Sequence, residues 1–212
     1  AQVGVAAILG LMFGSFANVP IHRWPRGGTA GDPPRSECPS CGEPIRALDN
    51  LPVVSWLVLR GRCRSCSAPI PARYPLVEAL MGLLFGITAW VYGLTPFTLV
   101  ALVFVWSAVV ASIIDLEHRI IPNRLTLRLP LILLPLLVLT AALDDAWRDL
   151  LRAVITGVAI PGVMLGLSEL FRLLRGKQGI GMGDIKFAIS IGLVVGYLGG
   201  WHIVVYAYGT IF

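Results

Sequence analysis

Two carboxylates stand at the edges of the two longest charge-free runs of the chain. Asp115 follows Ala79–Ile114 in the stretch VVASIIDLEHRIIPN, and Asp184 lies in GIGMGDIKF (179–187), after which no Asp, Glu, Lys or Arg occurs through Phe212. A charge at membrane depth is costly and is retained for function. Two carboxylates brought close share one proton, because like charges nearby do not both ionise cheaply. One then takes a proton from water while the other gives one to the carbonyl oxygen of a peptide bond. That is aspartic proteolysis, and it needs no metal and no nucleophilic side chain. Gly179, Gly181 and Gly183 leave alternate positions of the lead-in without side chains. An extended peptide can therefore approach the backbone closely there, which makes Gly181 and Gly183 candidates for substrate approach. Plainer readings stand beside this one. An Asp at a helix N-terminus is an ordinary cap favoured by the macrodipole, and Asp184 fits that description. Asp115, at a helix C-terminus, faces the unfavourable end of the dipole, but it can pair with Arg119 at i+4 if the helix continues.

A second chemistry is spelled by the cysteines. All four lie in one loop, as CPSC at Cys38 and Cys41 and CRSC at Cys63 and Cys66, with 21 residues between the pairs. Two such turns supply four thiolates to a tetrahedral zinc. The gap is one residue beyond the usual zinc-ribbon range. Gly42 follows the first pair and Gly61 precedes the second, where tight turns want glycine. Four free thiols or two disulfides are the alternatives, and disulfides do not persist in a reducing cytosol. Four thiolates leave no open coordination position, so the expected zinc is structural. A loop of this size, rich in Pro and Arg, buries too little to fold without such a staple. The apolar stretch LPVVSWLVL (51–59) lies between the pairs; it either docks on membrane helices or forms strands of the ribbon.

The elements that must hold these residues follow from composition. Of 212 residues, 56% are hydrophobic and 14% are charged, and the mean hydropathy is +0.79. A soluble domain carries about a quarter charged residues. Further charge-free runs cover Ala1–His22, Leu129–Leu143 and Ala153–Ser168. A helix needs about 20 apolar residues to cross the hydrocarbon core, and lipid satisfies no backbone groups. The expected fold is an all-α polytopic membrane bundle with a small cytoplasmic zinc-ribbon-like loop domain. Spans are expected near 1–20, 75–92, 97–114, 125–143, 151–171 and 185–199, with Gly93-Leu94-Thr95-Pro96 breaking the longest run. Gly199-Gly200 starts a seventh, short run. The chain opens on Ala, so trimming at both ends is expected, and the first run lacks the basic flank of a cleaved signal peptide. The division is then a first membrane helix (1–20), the cysteine loop (21–74) and a membrane core (75–212). Eight Arg fall in the first loop, and Arg119, Arg124, Arg128, Arg172, Arg175 and Lys177 fall in two later ones. All lie on one side of the assigned spans, which the positive-inside rule makes cytoplasmic, with the N-terminus outside. The net charge of +5 reflects this topology and gives no reason to expect nucleic acid.

Four ordered blocks resemble the type IV prepilin peptidases, membrane aspartic proteases of bacteria. GSFANVPIHRWP (14–25) resembles the family's N-terminal signature. CPSCGEPIRALDNLPVVSWLVLRGRCRSC with RYPLVEAL resembles its zinc loop and second span. DLEHRIIPN and GMGD-IK resemble its two catalytic motifs; GxGD is shared more loosely with presenilin-like proteases. The resemblance makes Asp115 and Asp184 the catalytic pair and Cys38, Cys41, Cys63 and Cys66 the zinc ligands. It implies cleavage of prepilins and type II secretion pseudopilins at the cytoplasmic face of the inner membrane, followed by N-methylation with S-adenosylmethionine. Family members without the cysteine loop tend to be peptidases alone, so the loop implies both activities. Asn123 departs from the pattern, since an acidic residue often follows the proline there, and the C-terminus is short.

Other residues carry weaker signals. Glu78 in RYPLVEAL is either a snorkelling or capping carboxylate or a contact to the substrate amine or methyl donor. Lys186 either holds a carboxylate charged or marks the interface, as Lys does at membrane edges. Both are candidates for substrate approach. His22, His118 and His202 show no metal-ligand spacing, and no nucleotide-binding motif marks a site for the methyl donor. Two rival functions remain at this stage. One is a metal or proton transporter with a zinc-sensing loop, against which both acids sit at one face and no inverted repeat is visible. The other is a zinc-ribbon scaffold without chemistry.

Overall fold

The computed structural model describes residues 1–29, 31, 36–177 and 179–199. Among them the architecture is helical: α1 (Gln2–Arg23), α2 (Val54–Val58), α3 (Arg73–Tyr92), α4 (Pro96–His118), α5 (Asn123–Asp144), α6 (Trp147–Arg175) and α7 (Met182–Tyr197), with 3-10 turns at Trp24–Arg26 and Ala47–Asn50. Extended pairing among the described residues is limited to two isolated bridges, Glu37 with Pro44 and Arg62 with Pro69. LPVVSWLVL therefore forms no ribbon strands; its centre is α2. Among the described residues five helices are long and apolar enough to cross a membrane, namely α1 and α3 to α6. The sixth expected span is α7, which starts at Met182 and has 16 described residues. At 1.5 Å per residue that is ~24 Å, against a core of ~30 Å. The expected seventh run, from Gly199-Gly200, lies outside the described residues apart from its first glycine.

Local chemistry sets the boundaries. Gly93, at φ +66°, ends α3, and Pro96 opens α4, where its fixed φ suits a first turn. Pro122 precedes α5 in extended conformation, and Gly176 closes α6 by donating its N–H to Arg172 O.

The chain forms two compact units, Ala1–Leu94 with Val105–Arg119, and Thr95–Phe104 with Ile120–Phe212. The first is built on α1 against α3. A Cβ on Gly10 would lie 2.6 Å from the Met81 carbonyl, and one on Gly14 2.7 Å from Glu78 Cα. This is backbone-to-backbone packing, the way small residues join helices where lipid removes any hydrophobic drive. The Trp106 indole donates to the Phe13 carbonyl at 3.0 Å and stacks on Phe16.

In the second unit α7 packs on α6 and α5. The Thr156 hydroxyl donates to the Gly192 carbonyl across the helix pair at 2.7 Å, and a Cβ on Gly192 would lie 2.5 Å from the Thr156 carbonyl. Phe104 stacks on Phe187 and Phe97 on Tyr197. Gly192→Ala must push the two helices apart. We expect it to destabilise the protein by about 1–3 kcal/mol, the usual cost of overpacking, read as a lower thermal midpoint in detergent. Gly162→Ala, where an added Cβ meets nothing within 4 Å, leaves that midpoint unchanged or raises it.

Candidate active site and metal centre

The cysteine loop folds into two matching knuckles. In the first, Cys38 N–H donates to Glu43 O and Gly42 N–H to Cys38 O; in the second, Cys63 N–H donates to Ala68 O and Ser67 N–H to Cys63 O. Gly42 stands at φ +71° and Ser67, its counterpart, at φ +59°, so the second knuckle puts a serine where the turn favours glycine. The four Sγ atoms lie within 4.8 Å of one another, and Cys38 Sγ is 3.8 Å from Cys66 Sγ. No disulfide joins them. A tetrahedron with ~2.3 Å zinc–sulfur arms separates its sulfurs by ~3.8 Å, so the set fits a zinc ion. The thiols do not ionise alike. Backbone N–H groups of Ser40 and Cys41 aimed at Cys38 hold its thiol down at about 6. The Glu43 N–H lowers Cys41, but the neighbouring Cys66 and Cys38 sulfurs outweigh it and push Cys41 up to about 12. Behind the second knuckle, Arg64 grips Asp49 with two bonds of 2.8 and 2.6 Å and holds that carboxyl below its ordinary value.

The segment between the knuckles leans on the membrane helices. Glu78 is buried, and its carboxylate accepts the Val53 N–H at 2.6 Å. It neither snorkels nor caps its own helix. Val53 stands at φ +61°, an outlier for a β-branched residue.

Asp115 lies exposed in the last turn of α4, one turn inside its end rather than at it, because the helix continues to His118. The Arg119 N–H donates to the Asp115 carbonyl at 2.7 Å, and Arg119, at φ +55°, turns the chain. Among the described residues Asp115 and Arg119 form no ion pair. Two residues on, Glu117 accepts two bonds from Arg73 Nη1, at 2.8 and 2.7 Å.

Asp184 lies exposed in the first turn of α7, with Gly181 as the extended residue before it. A Cβ on Gly181 would sit 2.7 Å from Asp184 Oδ2, and one on Gly183 would sit 3.1 Å from the Ile121 Cβ. Both glycines thus already answer to neighbours within the chain. Lys186 donates to Asn123 Oδ1 at 2.8 Å. The stretch six to eight residues past Asp115 therefore packs on the first two turns of the helix that carries Asp184, all within the second unit. The pairing of Lys186 with Asn123 was not legible beforehand. The proline-linked motif signalled it only as a position where an acid would have been expected.

A helical multi-pass membrane protein with a four-cysteine knuckle pair and a glycine-led aspartate at a helix start is the class these features define. The model of the bacterial peptidase A24 N-terminal domain matches residues 8–92, and that of the type IV leader peptidase family matches residues 102–212. The chain belongs to the type IV leader peptidase family. It is 38% identical to the prepilin leader peptidase/N-methyltransferase of Stutzerimonas stutzeri, over 93% of this chain and 73% of that protein. It is 39% identical to the protein of that name from Neisseria gonorrhoeae, over 92% and 74%, and 40% identical to that of Aeromonas hydrophila, over 90% and 72%. No solved structure matches the chain.

Proposed function

We propose that the chain is a prepilin leader peptidase and N-methyltransferase of the bacterial inner membrane, with its cysteine loop on the cytoplasmic side. Its substrates are type IV prepilins and type II secretion pseudopilins. Asp115 and Asp184 form the catalytic pair. One carboxylate takes a proton from water as the water oxygen bonds the scissile carbonyl carbon; the other, protonated, gives its proton to the carbonyl oxygen. Collapse of the tetrahedral intermediate breaks the C–N bond: the leaving nitrogen takes the proton held by the first carboxylate while one hydroxyl of the intermediate returns its proton to the second, which leaves a carboxylic acid, a free amine and the pair as it began. The observation that carries this reading is the family match of residues 102–212 to the type IV leader peptidases; within the second unit, Ile121 and Asn123 pack on Gly183 and Lys186 at the start of the Asp184 helix. That match supports a leader peptidase and gives the transporter reading no support.

The freed N-terminal amine is the methyl acceptor. S-adenosylmethionine supplies the methyl group as a co-substrate, and the peptidase step must come first because the intact substrate offers no free amine at that residue. Zinc, held by Cys38, Cys41, Cys63 and Cys66, shapes the loop and takes no part in cleavage. Gly181 has a positioning part, since any side chain there displaces the Asp184 carboxylate. Gly181→Ala should lower the cleavage rate by about 10²-fold, the scale of a 1 Å misplacement, without changing membrane insertion.

The test is incubation of the purified protein with a model prepilin and labelled S-adenosylmethionine. The reading requires a shortened pilin whose new N-terminus carries label. An uncleaved substrate beside ion flux through reconstituted vesicles would support a transporter instead.

A further inference from the structure

The stretch between the knuckles exposes an unusual face. Leu48 is 79% exposed, Leu51 51%, Leu57 62% and Val58 71%. Arg46, Arg60 and Arg62, all exposed, flank these side chains. Its depth is set by its neighbours. Pro52, Val53 and Val54 line an open apolar groove of about 410 Å³ together with Ala7 and Leu11 of α1 and Ala79, Gly82 and Leu83 of α3. Ala79 and Leu83 lie six and ten residues past Arg73, roughly 9 and 15 Å along a helix at 1.5 Å per residue. Both helices are membrane spans by length and hydropathy, so the tip of the loop lies level with hydrocarbon.

Non-helical backbone at that depth must have its polar groups satisfied from within the protein. Here they are. Leu51 N–H donates to Ser55 Oγ, and the Ser55 hydroxyl donates to Leu48 O. Val54, Ser55, Leu57 and Leu59 N–H groups bond carbonyls within the segment. Val53 N–H, turned away from the segment by its positive φ, is the one that bonds Glu78. A buried carboxylate inside a membrane helix thereby has a structural reason.

We infer that Leu48–Leu59 is a re-entrant anchor that inserts Leu48, Leu51, Leu57 and Val58 into the leaflet beside α1 and α3, with Glu78 as the acceptor that lets Val53 lie at that depth. An apolar face with a basic rim suits a surface of anionic lipid, which identifies the occupant as bilayer. The anchor fixes the height of the zinc knuckles over the membrane.

The test is photocrosslinking of the full chain in nanodiscs of phosphatidylethanolamine and phosphatidylglycerol, with Leu57→benzoylphenylalanine and, separately, Leu48→benzoylphenylalanine. Both positions are mostly exposed, so the larger side chain displaces little. Mass spectrometry should find lipid adducts at each, unchanged when a model prepilin is added. Glu78→Gln, which keeps an acceptor oxygen, should preserve the adduct, and Glu78→Leu should lose it. Absence of lipid adducts at both positions, or their replacement by prepilin adducts, overturns the anchor; adducts undiminished in Glu78→Leu remove Glu78 from it.

Discussion

Asp115→Asn and Asp184→Asn, each alone, lower leader cleavage by roughly 10²–10⁴-fold, the contribution of one proton-transfer group. Membrane insertion and zinc content stay at wild-type levels. Asn keeps the size and a hydrogen-bonding oxygen but neither accepts nor gives up the proton. Either substitution therefore removes one half of the exchange between water and the carbonyl oxygen. Both side chains are exposed, so neither change leaves a hole in a core. Wild-type cleavage by either variant would take that residue out of the site. Methyl transfer should respond differently. It needs a donor and an uncharged amine held in line, not a water-activating pair. Asp184→Asn should fail on intact prepilin yet methylate a pre-cleaved pilin with a free N-terminus. If that variant transfers no methyl while wild type does, one shared site serves both steps.

Cys38→Ser with Cys41→Ser reduces zinc from about one ion per chain to almost none, measured by metal analysis of the purified protein. A serine hydroxyl does not ionise near neutral pH, and two thiolates seldom hold a structural zinc. The binding free energy of such a metal is also folding free energy. The loop should therefore lose its order, and trypsin should cut at Arg60, Arg62 and Arg64. Full zinc occupancy in the double variant would refute the ligand set. Removing zinc by chelation should weaken cleavage only through the loop's shape, since the proposed cleavage relies on the two carboxylates alone.

Much of this was legible in residue spacing. The paired Cys-x-x-Cys turns named the four-cysteine cluster, because local knuckle geometry depends on a few adjacent residues. Charge-free runs named the membrane helices, because the cost of a charge in lipid acts on every window of sequence. What could not be read was long-range. Gly10 and Gly14 face α3, and Gly192 faces α6, in a small-residue spacing that the sequence held but whose partner helix it did not name. Asp115 was expected to close its helix and instead sits a turn inside, since hydropathy marks the edge of lipid and not the last hydrogen bond. Gly181 and Gly183 leave side-chain space by their type alone, but type does not name what borders that space, which in the fold is Asp184 Oδ2 and Ile121. Glu78 was open to several readings because its partner, Val53, lies 25 residues away at a strained backbone position that no local pattern announces.

The most direct test of the paired aspartates is the binding of a prepilin peptide whose scissile amide is replaced by a hydroxyethylene group. Such a group mimics the tetrahedral carbon and its hydroxyl. Transition-state analogues bind about 10²–10⁸-fold tighter than substrates. The wild-type protein, in nanodiscs and loaded with zinc, should bind the analogue at least about 10²-fold tighter than the uncleaved peptide bound by Asp184→Asn. Asp115→Asn and Asp184→Asn should each lose that gain. Equal affinity for the analogue in wild type and both variants would contradict a site in which these two carboxylates meet one peptide bond.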